Sequence, residues 1–343
     1  MKIDRRTLLG GMAATLAAPL PSFAKSITDA TGRALEAPDS VQRVYPAGPP
    51  AAVEIYTVAP DLLVGWLEPI SPEARAFLLP EIAARPEIPR LTGRGDTKIN
   101  VDALKSFKPD LIVDIGDVNE SYKTLAERVQ QESGLPYVLI DGHLDKMAAS
   151  YRTLGQLLGR SEDAEKLARI TDEAVATITS RVASIASDVR PRVYYARDHT
   201  GLVTAQAGSM VTEPIAFLGA RNVAGDKRSG QTVTTIAQIA EWNPDIIIAS
   251  NPEFMTAVRS DPAWAPIAAV KNGRVHLAPR LPFGWVDYPP AVNRLIGLWW
   301  LGKLFYPERF PEDIKRLARD FYTAFYHVTP TAEQIERVLA GGA

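Results

Sequence analysis

Residues 101–115 read VDALKSFKPDLIVDI, and residues 236–250 read IAQIAEWNPDIIIAS. Each phrase is a short amphipathic helix, an aromatic residue, a Pro-Asp turn and an apolar run with β-branched residues. Apolar residues three or four apart share a helix face, and a β-branched run bounded by a turn fits a strand. A chain that repeats helix–aromatic–Pro-Asp–strand is built from two similar units.

The flanks follow the same rhythm. In the first half, 41–45 and 62–65 are strand-like, 51–58 is helical, 122–131 is helical and 137–140 is a further strand. After Pro191 the pattern restarts, with strands at 192–196, 245–249 and 274–277 and helices at 213–218, 291–305, 312–325 and 331–339. Short apolar strands between helices predict parallel sheets covered on both faces. Residues 144–190 differ. From Ser161 onward there is no Gly or Pro, and Leu167, Ile170, Ala174, Ile178, Val182 and Ile185 recur at helical spacing. A helix from Ser161 to Ser187 would be roughly 40 Å long at 1.5 Å per residue, a strut between two bodies. The expected fold is therefore α/β: two lobes, each with a central mostly parallel sheet flanked by helices, joined by one long α-helix. The lobes are expected at 25–143 and 191–343, with 144–190 linking them.

Residues 1–24 are read as an export leader and excluded from the fold. They carry Arg5-Arg6, a short apolar run broken by Gly and Pro, and a small-residue ending at Ser22-Phe23-Ala24. Asp4-Arg5-Arg6-Thr7-Leu8-Leu9 matches the twin-arginine pattern, with a general secretory signal as the alternative. The chain has 38 basic and 40 acidic residues, a net charge of −2, so its surface has no pull toward nucleic acid. Cysteine is absent, which excludes disulfides, thiolate metal sites, a cysteine nucleophile and a lipid anchor on an N-terminal Cys. The expectation is a monomeric protein free in the periplasm.

In open parallel sheets ligands bind beyond the carboxyl ends of the strands. Those ends collect Gly48 and Pro49, Trp66, Asp117, and Gly142-His143 in the first half. The turn Leu91-Thr92-Gly93-Arg94-Gly95 precedes the repeated helix. In the second half they collect Arg197 and His199, Ser250-Asn251-Pro252, and the loop 279–290 with Arg280, Trp285 and Tyr288. Glycines allow close backbone approach, arginines suit an anion, and aromatics give flat contact area. The candidate ligand-binding residues are thus Gly48, Pro49, Trp66, Arg94, Gly95, Asp117, Arg197, His199, Arg280, Trp285 and Tyr288. No P-loop, GxGxxG, HExxH or GxSxG is present, and the four His residues have no metal-ligand spacing. No catalytic residue, resident cofactor or metal site is expected.

Taken in order, several segments resemble the class III periplasmic substrate-binding proteins of ABC importers. They are VQRVYPAGPPAAVEIYTVAPDLLVGW, LTGRGDTKINVDALKSFKPDLIVD, GSMVTEPIAFLGARNV, TTIAQIAEWNPDIIIAS and PPAVNRLIGLWWLGKLFYPE. The resemblance implies two lobes bridged by a long helix, a largely pre-formed cleft and delivery of cargo to a membrane permease. It implies a metal chelate as cargo, with an anionic ferric siderophore favoured by the three arginines. Molybdate or tungstate and haem, with Tyr195 or His199 as axial ligand, are alternatives on the same fold. A periplasmic enzyme or a ligand-presenting sensor is the alternative of another class. The family docks its permease through an acidic residue on each lobe. Ala216 stands at the expected second-lobe position, so Glu213 is the substitute there, and Glu81 and Glu87 are the first-lobe candidates.

Overall fold

The computed structural model describes residues 23–91, 99–225 and 231–341. The export leader, apart from its last residues, and Arg94 and Gly95 lie outside the described residues. A hairpin, β1 (Phe23–Thr28) and β2 (Ala34–Pro38), precedes the first parallel sheet. That sheet is built from β3 (Val44–Pro46), β4 (Leu111–Gly116) and β5 (Tyr137–Asp141), with β4 in the middle. The second lobe contributes β6 (Arg192–Ala196), β7 (Val203–Ala205), β8 (Arg221–Asn222), β9 (Gln231–Val233), β10 (Ile246–Ala249) and β11 (Val275–Leu277). Its parallel sheet runs β11-β10-β6-β8, while β7 and β9 form a separate antiparallel hairpin. The two parallel sheets are not continuous with each other.

The repeated phrase supplies an interior strand of each sheet, β4 and β10, after the helices Val101–Ser106 and Ile236–Trp242. The correspondence extends to atoms. Lys108 and Asn243, each preceding the Pro-Asp pair, have φ of 47° and 41°. Asp110 Oδ2 accepts the Gln42 and Arg43 amides at 2.6 and 2.8 Å, and Asp245 Oδ2 accepts the Arg192 amide at 2.7 Å. Each carboxylate thus satisfies an amide at or just before the neighbouring strand's start. In return Arg43 donates to the Phe107 carbonyl at 2.8 Å, and Arg192 donates to the Trp242 carbonyl. One rivet has been used twice.

The long helix runs Ser161–Ala183, 23 residues, or about 34 Å at 1.5 Å per residue. It stops short of the expected Ser187, where the chain makes a 3₁₀ turn at Ser187–Val189 instead. Arg152 on the preceding helix, Met147–Leu158, pairs with Glu165 at 2.7 Å and Asp172 at 2.9 Å. Near the other end of the long helix, Arg181 pairs with Glu312 at 2.5 Å and lies over the Trp299 and Phe310 rings. Its buried face, including Leu167, Ala168, Ile178 and Val182, joins a hydrophobic cluster that takes in Val44, Val113 and Val138 from one sheet and Val193, Tyr195 and Ile248 from the other. Burying each such aliphatic side chain contributes about 1.5–3 kcal/mol, so the lobes share one core rather than merely touching. The outer face of each sheet carries its own smaller cluster.

Candidate ligand-binding cleft

One wall of the cleft is made where β3 feeds through Ala47-Gly48 into the helix Pro49–Val58. Gly48 caps that helix in extended conformation, and proline occupies its first two positions, where no backbone N–H is needed. The helix is buried from Ala51 to Val58, and its Pro49 and Pro50 project into the cleft. Trp66 forms the floor. It is only 3 % exposed, its indole N–H donates to the Ile82 carbonyl at 2.8 Å, and it packs on Tyr56 and Phe283 with centroids at 5.7 and 5.8 Å.

The opposite wall is the loop 279–290, which the rest of the second lobe holds in place. Tyr322 Oη donates to the Leu281 carbonyl and accepts the Trp285 indole N–H at 3.2 Å. Asn293 donates to the Gly284 carbonyl and to the Pro289 carbonyl at 3.0 Å. The Trp285 backbone lies so close to the helix Asn293–Phe305 that a Cβ on Gly297 would meet its carbonyl oxygen at 1.8 Å, which explains a glycine mid-helix.

Two adjoining chambers flank the loop 279–290, the first between the walls and the second within the second lobe. The first, about 410 Å³, is lined by Pro49, Pro50, Val53, Trp66, Ile70 and Phe283 among others, and is mainly apolar. The second, about 350 Å³, is lined by Tyr195, Arg197, Ser250, Asn251 and Arg280. Asp287 and Tyr288 line both. Arg197 and Asp287 form a buried pair, with the guanidinium donating to Oδ2 at 3.0 and 2.5 Å. Burial pushes the Asp287 carboxyl up, and Arg197 beside it pulls the other way. Arg280 donates to the Gly341 carbonyl at 3.1 Å and forms no ion pair among the described residues. Tyr288 is 48 % exposed, has φ of 66°, and lies with its ring centroid 5.0 Å from the Arg197 guanidinium carbon. The Tyr195 hydroxyl is buried without a hydrogen-bond partner. Ser250 is nearby but out of bonding geometry, its own hydroxyl donating to the Arg197 carbonyl at 3.0 Å. Burial holds the Tyr195 phenol well above its ordinary range, so it is a proton donor in wait.

Of the residues singled out from sequence, Pro49, Trp66, Arg197, Arg280 and Tyr288 come together here, with Gly48 behind Pro49. Three do not. Trp285 is fully buried in the core beneath the loop, because its indole finds Tyr322 and its backbone packs on Gly297. His199 is exposed and lines neither chamber. Asp117 lines neither chamber and sits 3.3 Å from His143 Nε2. Among the docking carboxylates, Glu81 and Glu87 are exposed. Glu213 is not a free docking group. Its carboxylate is taken by Arg294 at 2.8 Å, His143 Nδ1 at 3.1 Å and the Leu144 amide at 3.2 Å. Sequence reasoning passed over Glu54 and Arg294, both buried. The signal was available: each is the lone charge in an apolar helical run, AAVEIYTV and RLIGLWWLG, and such a charge must find a partner or lose its proton.

The sequence profile of the family described as Periplasmic binding protein matches residues 84–280. The molybdate-binding protein MolA of Haemophilus influenzae is 25 % identical over 265 residues, covering 71 % of this chain and 75 % of that protein. An ABC transporter solute-binding protein from Sulfurospirillum deleyianum superposes with a TM-score of 0.81 at 26 % identity, covering 92 % of this chain and 99 % of that one. The vitamin B12-binding protein BtuF of Vibrio cholerae shares the fold, with a TM-score of 0.60 at 19 % identity over 77 % of this chain and 96 % of that one. With its two parallel sheets, the helix between them and the cleft at their strand ends, the chain belongs to the periplasmic binding protein family, as a class III substrate-binding protein of ABC importers.

Proposed function

We propose that this protein captures an anionic metal chelate, a ferric siderophore foremost, in the cleft and hands it to an ABC permease. The observation that carries the reading is the pairing of an apolar chamber with a cationic one across the shared residues Asp287 and Tyr288. A chelate with a hydrocarbon or aromatic periphery and exposed anionic oxygens fits both halves. Its periphery lies against Pro49, Trp66 and Phe283, and its oxygens face Arg197 and Arg280. The lobes share a core, so the cleft suits a rigid ligand that does not require wide closure. The exposed Glu81 and Glu87 are the proposed first-lobe contacts for the permease, and the protein acts as a monomer without turnover of its cargo.

Titration with a ferric tris-catecholate tests this. Trp66 on the cleft floor makes tryptophan quenching the expected signal, with a coloured complex of one chelate per chain. An absence of quenching and of colour overturns the reading. The relation to MolA supports a second reading, a tetrahedral oxyanion held in the cationic chamber alone. Molybdate would then raise the melting temperature without any visible absorbance.

A further inference from the structure

We propose that Arg294, fully buried, and Glu213 form a latch that fixes the width of the ligand-free cleft by gripping residues Gly142–Leu144, where the first lobe passes into the linking segment. Both grip residues belong to the second lobe, Arg294 on the helix Asn293–Phe305 and Glu213 on the helix Glu213–Phe217. Arg294 is fully buried, and its guanidinium is bonded on every side. It donates to Glu213 Oε2 at 2.8 Å, to the Gly142 carbonyl at 2.5 Å, to the Met210 carbonyl at 3.3 Å and to the Ala291 carbonyl at 3.2 Å. Glu213 completes the grip. It accepts the Leu144 amide at 3.2 Å on each oxygen and faces His143 Nδ1 at 3.1 Å, while His143 Nε2 faces Asp117 at 3.3 Å. Contact between the lobes here is close, since a Cβ on Gly142 would lie 2.7 Å from Met210 Cε.

The grip lies just past the end of β5, on the stretch leading into the linking helices. Spreading the lobes would pull the Gly142 carbonyl and Leu144 amide away and leave the buried Arg294 cation and the half-buried Glu213 carboxylate with unmet bonds. The ion pairs tying the long helix to its neighbours are more exposed, and exposed pairs resist little. Arg294 and Glu213 are therefore positioning residues: they touch no ligand but hold the two walls at a set separation.

The inference takes the cleft to be the ligand site, but its test reads a distance and no ligand, so the two can fail separately. The chain has no cysteine, so Glu73→Cys and Glu253→Cys, exposed and next to the first and second chambers, take spin labels cleanly. Double electron–electron resonance on the doubly labelled, ligand-free protein is expected to give one narrow distance. In Glu213→Gln and Arg294→Lys backgrounds that distance broadens and shifts by more than about 2 Å, with helix content unchanged by circular dichroism. An unchanged narrow distribution in the folded Glu213→Gln protein overturns the proposal and leaves the shared core to set the width. If Arg294→Lys does not fold, Glu213→Gln and the milder His143→Ala decide the matter on the same readout.

Discussion

The two walls of the cleft begin from the same building unit and end in different chemistry. In the first lobe β3 passes through two residues straight into the helix Pro49–Val58. The prolines at its start withhold N–H donors and leave an apolar face. In the second lobe β6 ends at Ala196 and the chain turns through Arg197 to the β7 strand, so the cleft receives Arg197, Ser250, Arg280 and Asn251, the polar cap of the helix Pro252–Ser260. The Pro-Asp rivets behind both sheets share their main bonds, an aspartate holding the neighbouring strand's amide and that strand's arginine holding the carbonyl of the aromatic residue. The unit of helix, Pro-Asp turn and interior strand is common to both lobes, while the strands around it and the strand ends differ. A protein with one greasy and one cationic wall is suited to a ligand with two faces.

The comparison can be broken at its most charged point. Asp287→Ala leaves Arg197 buried and unpaired, so the second wall should lose about 3–5 kcal/mol of stability, measured by urea denaturation. The first wall has one hidden charge of its own, Glu54, whose carboxyl burial pushes up to about 7 from an ordinary 4.5, against a downward pull from Arg294. Between those two values the folded chain holds a proton that the unfolded chain has released. Stability therefore falls as pH rises through that window, by up to roughly 3 kcal/mol, and is not regained above it. Glu54→Gln should flatten that slope in denaturation curves taken from pH 4.5 to 7.

Two smaller effects sharpen the contrast. Arg280→Ala should weaken a ferric tris-catecholate about tenfold, or about 1.4 kcal/mol, without moving the melting temperature, because Arg280 forms no ion pair among the described residues. Tyr195→Phe removes a buried hydroxyl that has no partner, so the ligand-free protein should melt no lower than the parent, within about 0.5 kcal/mol. A clear loss of stability there would mean the hydroxyl serves the fold.

Most of the frame was legible because it depends on periodicity. The repeated phrase predicted β4 and β10 and the helices before them, and the unbroken stretch from Ser161 predicted the strut. Its end was misjudged by a few residues, since Val182 and Ile185 keep the helical spacing past the point where the helix stops. The hairpins β1–β2 and β7–β9 were missed, being short and without a clean alternation. The cleft was half legible. Strand-end residues such as Pro49, Arg197 and Tyr288 follow from where ligands bind in open sheets, whereas burial within a loop does not show in sequence, and Trp285 went to the core. Glu213 was read from a helix position as a surface group, yet its partner lies far along the chain at Arg294, a pairing that only folding brings about.

The central claim is a chelate lying between unlike walls, and anomalous diffraction at the iron edge tests it most directly. Crystals grown with a ferric tris-catecholate should show one iron peak in the cleft, between the Pro49–Trp66 side and the Arg197–Arg280 side. An iron peak elsewhere on the protein, or none in crystals whose cleft is open to solvent, would contradict it.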